Sequence, residues 1–130
     1  MPDKSLDKYR ESNRYDSHFR KCTEVVAPGY FAKHVPEQLR PPYVLYSSLL
    51  AQHLNPSSSA LEIGCGSGNF SYILASSQCN FVATDLSKYS LKYFDKVYSE
   101  FSNTTSLQCD MESLPFQNQS FVWPLCMTFP

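Results

Sequence analysis

The spacing of apolar residues along this chain changes near residue 60. Before that point it is helical. Leu6, Tyr9, Tyr15 and Phe19 are loosely helix-spaced, which predicts one or two short amphipathic helices in residues 1–40. Pro28-Gly29 marks a turn. Pro41-Pro42 opens a stronger helix, with Tyr43, Tyr46, Leu49, Leu50 and Leu54 as its apolar side. Asn55-Pro56 ends that helix, and a serine loop follows.

After the loop, short apolar runs alternate with helical segments. Ala60-Leu61-Glu62-Ile63 reads as a buried strand. Residues 69–77 read as a helix with Phe70, Ile73 and Leu74 on one face. Phe81-Val82-Ala83-Thr84 is a second strand, ending at Asp85. Ser87 is placed to cap a helix over residues 88–101, whose apolar positions are Leu91, Phe94, Val97, Tyr98 and Phe101. Asn103-Thr104 reads as a turn and Ser106-Leu107-Gln108-Cys109 as a third strand. Residues 114–120 read as a loop, and Phe121 to Cys126 as a fourth strand. Strands alternating with helices predict an α/β fold, a doubly wound, Rossmann-like parallel sheet. The expected organisation is an N-terminal helical or lid segment over residues 1–40 and a sheet domain over residues 41–130.

Composition narrows the classes. The chain has 130 residues, 42% of them hydrophobic and 18% charged, which is a globular balance at one-domain length. Its formal net charge of −1 gives no signal for nucleic acid or anionic lipid. No apolar run approaches the ~20 residues that span a bilayer. The five cysteines are odd in number and contain no C-x-x-C, which argues for free thiols in a reducing cytoplasm. His18, His34 and His53 are scattered, so neither a metal site nor a general base is assigned to them.

The chemistry concentrates in Glu62-Ile63-Gly64-Cys65-Gly66-Ser67-Gly68, between the first strand and the next helix. Glycines there let the chain turn sharply and let a ligand approach the backbone. The helix that follows presents free N–H groups. A dinucleotide fingerprint needs a glycine where Asn69 stands, which counts against a nicotinamide-dependent oxidoreductase. No Gly-Lys-Ser/Thr follows, which counts against a nucleoside triphosphate. Asp85, followed by Leu86, ends the second strand, where a carboxylate can accept hydrogen bonds from both ribose hydroxyls of an adenosine. Each feature also has a plainer reading. The glycines make a turn without a ligand, Asp85 favours a helix macrodipole, and Asp110-Met111 belongs to an ordinary connecting loop.

The E-x-G-x-G-x-G pattern, the strand-end Asp85 and the Asp110-Met111-Glu112-Ser113-Leu114-Pro115-Phe116 segment resemble class I S-adenosylmethionine-dependent methyltransferases. The resemblance covers roughly residues 40–121. It implies S-adenosyl-L-methionine as cofactor, held by Glu62, Gly64, Cys65, Gly66, Ser67, Gly68, Asp85, Leu86, Asp110 and Met111. In that family the glycine turn packs on the methionyl part and the first acid organises the turn and the cofactor's amino end. The second acid meets the ribose, the third bonds the adenine amino group, and the next residue lines the adenine face. Tyr9, Tyr15, Tyr30 and Phe31 are read first as packing residues and second as a lid over the cofactor.

The chain departs from the family after Phe121. The usual acid is missing, and Pro124 falls inside the fourth strand. The whole family fold has seven strands, of which this chain supplies at most four, so the C-terminal half of the fold is expected to be missing. A truncated isoform with weak or no activity is the expectation, with residues 122–130 in doubt as native to the fold. The resemblance implies methyl transfer to a small-molecule acceptor, with a protein acceptor or a partner chain second. The alternative is a non-catalytic cofactor-binding or regulatory fragment acting through a partner chain. No catalytic base is named.

Overall fold

A computed structural model describes residues 4–21, 25–118 and 123–126 of the chain. Helices α1 (Lys4–Arg20), α2 (Tyr30–Lys33) and α3 (Arg40–His53) precede the sheet, with a 3₁₀ turn at Glu37–Leu39. Then come β1 (Ser59–Ile63), α4 (Ser71–Ser76), β2 (Asn80–Asp85), α5 (Lys88–Val97), β3 (Thr104–Gln108) and β4 (Trp123–Cys126). The strands form one parallel sheet in the order β3-β2-β1-β4. This is a partial doubly wound Rossmann-like sheet, as the alternating periods predict.

The core lies where α3, α4 and α5 meet the sheet. Ala60 of β1, Phe81 and Ala83 of β2, Leu50 of α3, Leu74 of α4 and Phe94 of α5 are all buried in one cluster. Buried positions run consecutively along β1, as expected of an inner parallel strand covered on both faces. Strand β3, at the edge, is half-buried or exposed throughout.

Several boundaries differ from the sequence pattern. Residues 4–20 form one 17-residue helix rather than short pieces. It docks on α5 through a Phe19–Tyr93 ring contact and through Arg20 at Tyr89, while Leu6 and Tyr9 remain exposed. In α3 the buried stripe is Tyr46 and Leu50, flanked by half-buried Tyr43 and Leu54. Leu49 is exposed, because it lies roughly 100° round the helix from that stripe. Helix α4 begins at Ser71 rather than residue 69, since the glycine turn extends to Phe70. Helix α5 ends at Val97, and turns carry the chain onward through Tyr98. Strand β3 starts at Thr104 and ends at Gln108, so the expected turn residue Thr104 is the first of the strand and Cys109 lies beyond it.

The fourth strand forms in spite of its proline. Pro124 sits opposite Leu61 in a parallel ladder with β1. Among the described residues β4 is an edge strand, the place where a sheet tolerates a residue without an N–H. Residues 121, 122 and 127–130 lie outside the described residues.

Ser87 caps α5 as its sequence position implies. Its Oγ accepts the N–H of Ser90 at 3.3 Å and donates to Asp16 of α1. One buried hydroxyl thus starts α5 and fastens α1 to it. Ser87→Ala is expected to lower unfolding stability by about 1–2 kcal/mol in urea titrations, the usual worth of an N-cap.

Candidate functional site

The site is built at the carboxyl ends of β1, β2 and β3. Threonine 84, at the end of β2, ties the first two together. Its Oγ1 donates to the Glu62 carbonyl at 2.9 Å. Its own carbonyl accepts the N–H groups of Gly64 and Cys65, at 2.8 and 2.9 Å. The chain therefore leaves β1 bent against β2. Gly64, Gly66 and Gly68 take φ of 73°, 55° and 84° through the bend, in the left-handed region.

Two of these glycines serve different ends. A Cβ on Gly68 would stand 2.6 Å from the Tyr98 ring and 2.8 Å from the Phe94 ring, both buried. Tyr98 Oη also donates to the Gly68 carbonyl at 2.5 Å. Gly68 is a packing requirement. A Cβ on Gly66 would meet nothing within 4 Å, so the backbone there faces open space.

Two of the three sequence-predicted acids, Glu62 and Asp85, meet at this bend. Asp85 Oδ2 accepts the Gly66 N–H at 2.9 Å, and its Oδ1 accepts the Ser87 N–H at 2.9 Å. Glu62 lies beneath the turn, 1% exposed, and its Oε2 accepts from Ser71 Oγ at 2.6 Å. Burial pushes its carboxyl up from 4.5 to about 7; the Ser71 hydrogen bond opposes this and the nearby Asp85 charge adds to it. Cys65 is buried beside them, and burial raises its thiol well above the ordinary value, which keeps it protonated. Ser67 is half-buried on the turn. The Leu86 carbonyl accepts from Gln108 Nε2 at 3.0 Å, linking β2's exit to β3's.

Asp110 follows β3, and its carboxylate is already engaged. Lys8 of α1 places Nζ 2.7 Å from Asp110 Oδ2 and 2.7 Å from Glu112 Oε2. Hydrogen bonds from Lys8 and from the Glu112 N–H hold the Asp110 carboxyl below its ordinary value. Met111 beside it is 52% exposed. A cleft of about 230 Å³ opens on the turn, lined among others by Pro28, Phe31, Ser67, Gly68, Tyr93 and Tyr98. Asp85 and Asp110 are not part of its lining. Phe31 packs its ring on Tyr43 and Phe70.

Ser71, Thr84 and Lys8 have no sequence signal that marks them as part of this site. Thr84 was visible only as a strand residue, and Ser71 only as part of a helix. Lys8 is remote in sequence from everything it touches. Among the described residues no group of three or more His, Cys, Asp or Glu stands together in a way that suits a metal ion. No helix of the described residues is long and apolar enough to cross a membrane.

Comparison with known proteins follows the same lines. The family model of a methyltransferase domain matches residues 60–129, more than half of the chain and through the proline-bearing strand. The match therefore extends beyond the expected limit near residue 121. No curated protein sequence matches. Solved structures with similar folds include a SAM-dependent methyltransferase from Aquifex aeolicus, 14% identical with a TM-score of 0.59, over 78% of this chain and 56% of that one. A phosphoethanolamine N-methyltransferase from Haemonchus contortus, solved with phosphoethanolamine and S-adenosylhomocysteine, is 15% identical with a TM-score of 0.66, over 94% of this chain and 25% of that one. The [4+2]-cyclase SpnF is 17% identical with a TM-score of 0.64, over 90% of this chain and 47% of that one. The chain thus spans a quarter to just over half of these relatives.

Two outcomes follow from the geometry. Gly68→Ala should destabilise the fold by about 2–4 kcal/mol in denaturant titrations, from a clash with two buried rings and a strained φ. Gly66→Ala, with only its φ to strain, should cost about 1 kcal/mol. The second outcome concerns pH. Glu62 binds its proton more tightly folded than unfolded, so its contribution is full below pH 4.5 and is lost as pH rises through about 7. Glu62→Gln should flatten that fall and leave the variant more stable above pH 7 by up to about 3 kcal/mol, read from urea midpoints across pH.

Proposed function

The chain belongs to the methyltransferase-domain family, and on that premise we propose that it binds S-adenosyl-L-methionine over the glycine turn, for methyl transfer to a small molecule. One observation carries this reading: two acids, at the ends of the neighbouring parallel strands β1 and β2, flank a backbone bend that faces open space at Gly66, and a third, Asp110, follows the next strand, β3. Open α/β sheets take their ligands at that end of the strands.

The residues present fit this cofactor. Glu62 lies under the turn, where the amino end of the methionyl group would bring a cation towards a carboxyl whose pKa burial raises to about 7. Asp85 uses its two oxygens on the N–H groups of Gly66 and Ser87, and a carboxylate has about four lone-pair sites, so both ribose hydroxyls can still be accepted. Gly64, Cys65, Gly66, Ser67 and Gly68 supply the backbone against which the methionyl part lies. Asp110 is the acceptor for the adenine amino group, with Met111 and Leu86 along the adenine faces. Met111, now 52% exposed, would gain a flat apolar partner.

The cofactor supplies an electrophilic methyl group on a sulfonium. The protein's contribution is to hold donor and acceptor in line, which removes most of the entropic part of the barrier. No residue of the site is assigned as a general base. A small-molecule acceptor is supported by the formal net charge of −1, which attracts no polyanion. A reducing, cytoplasmic location is supported by the free thiols of Cys65, Cys79 and Cys109.

A second reading is a cofactor-binding chain that acts through a partner rather than by catalysis. It is favoured by the exposed apolar residues Val44, Leu45 and Leu49 on α3. A methyl-transfer screen with radiolabelled cofactor separates the two: binding without transfer to any small nucleophile supports the second.

The binding site itself is tested by calorimetry with S-adenosylhomocysteine. The wild-type chain should bind it, and Asp85→Ala should weaken binding by about tenfold or more, the loss of hydrogen bonds to a charged acceptor. Absence of binding heat, or an affinity that survives Asp85→Ala, contradicts the proposal.

A further inference from the structure

The cleft on the glycine turn is not explained by the proposed cofactor. Its lining comes from residues 26–31, from Ser67, Gly68 and Asn69 of the turn, and from residues on and just after α5. Asp85 and Asp110 are absent from it, so it lies on the α5 side of the turn rather than over the acids. Its walls are tied down. The Val26 N–H donates to Tyr93 Oη at 3.2 Å, and Tyr98 Oη donates to the Gly68 carbonyl. Gly29, at φ 81°, leaves no room for a side chain: a Cβ there would stand 2.9 Å from the Tyr72 ring. Phe31 packs on Phe70 with ring centroids 5.3 Å apart. The 26–31 segment is thus seated on α4 as well as on α5, and the space it bounds is a built feature of the fold.

The chemistry of the lining is one-sided. No charged side chain contributes to it. Pro28, Phe31, Val97 and the rings of Tyr93 and Tyr98 make an apolar, largely aromatic wall. The free polar groups belong to the turn. Among the described residues neither Ser67 nor Asn69 has its N–H or its side chain in a hydrogen bond. An oxygen acceptor brought to them would meet donors not committed elsewhere. Size limits the occupant further. The cleft holds about 230 Å³. A cavity of ~150 Å³ takes benzene, so one ring with a short substituent fits and an adenosyl ligand does not.

We infer that this cleft is a second ligand site, for an uncharged single-ring aromatic molecule that carries a carbonyl or hydroxyl oxygen. The ring lies among Phe31, Tyr93, Val97 and Tyr98, and the oxygen accepts from the donors of Ser67 and Asn69. Offset or edge-on ring contacts add to the gain from burying the ring. An ion of either sign would lose hydration with no counter-charge to replace it. The inference stands apart from the proposed cofactor, since it uses neither the acids nor the open side of Gly66.

The test titrates benzamide into isotope-labelled protein and follows the backbone amides by NMR. Benzamide should shift Ser67, Gly68 and Asn69 together and saturate in the millimolar range, usual for a fragment of about nine non-hydrogen atoms. Benzoate and benzylammonium, of similar size, should bind about fivefold more weakly or worse. Ala27→Trp, at an exposed position of the lining, should fill the cleft and abolish the shifts while the rest of the spectrum stays that of wild type. With S-adenosylhomocysteine present, the benzamide affinity should change by less than about twofold. Shifts that are absent or miss the turn, an ion that binds as tightly as benzamide, or shifts that survive Ala27→Trp overturn the inference. So does competition with S-adenosylhomocysteine, which would make the cleft part of the cofactor's own site. Protein that takes benzamide at the turn but no S-adenosylhomocysteine upholds the cleft and sinks the cofactor proposal alone.

Discussion

The hydrogen bonds of Thr84 are the constraint on which the rest of the site depends. Side chain and carbonyl together grip the backbone on both sides of Ile63, at Glu62, Gly64 and Cys65. Parallel strands ordinarily leave their ends free to diverge. Here the end of β1 is folded over onto β2, and only residues tolerant of positive φ can continue. Gly66 then comes within reach of Asp85, and Gly68 within contact of Tyr98 and Phe94. The turn is fixed from both sides: polar bonds from β2 and aromatic packing from α5. A backbone held this way is preorganised, so less ordering remains to be done when a ligand arrives.

The same constraint sets the electrostatics. Bending the chain over β1 seals Glu62 beneath the turn, with Ser71 as its hydrogen-bond donor. Burial, with the nearby Asp85 charge, makes this carboxyl harder to ionise and raises its pKa to about 7. Asp110 stands in the opposite condition, partly exposed and paired with Lys8. Helix α1 therefore reaches the site at two places, through Lys8 at Asp110 and through Asp16 at Ser87, next to Asp85. An exposed ion pair of this kind is worth little on its own, so Lys8 is no strong obstacle to a ligand that needs Asp110.

What was legible in the sequence was whatever depends on local pattern. The alternating periods identify the sheet and its helices, the spaced glycines identify the bend, and the position of Asp85 follows from the end of an apolar run. The family match and the structural likenesses agree with that reading of the fold. The misjudged details have tertiary causes. Thr104 opens β3 because Phe81 pairs with it, which its turn-like neighbour Asn103 concealed. Leu49 is exposed because the core takes only the narrower stripe through Tyr46 and Leu50. Thr84, Ser71 and Lys8 gain their meaning from partners distant in sequence, and no spacing rule brings those together. Pro124 lies in a sheet because its strand has a neighbour on one side only among the described residues.

The central claim is that a carboxyl sealed under the bend waits for the ligand's ammonium. Its most direct test follows the Glu62 side-chain carbon by NMR through a pH titration, with and without S-adenosylhomocysteine. The account predicts a midpoint near 7 in the free protein and one lower by about a unit or more with ligand bound, as an adjacent cation requires. A free-protein midpoint near 4.5, or a midpoint that ligand binding leaves in place, would contradict it.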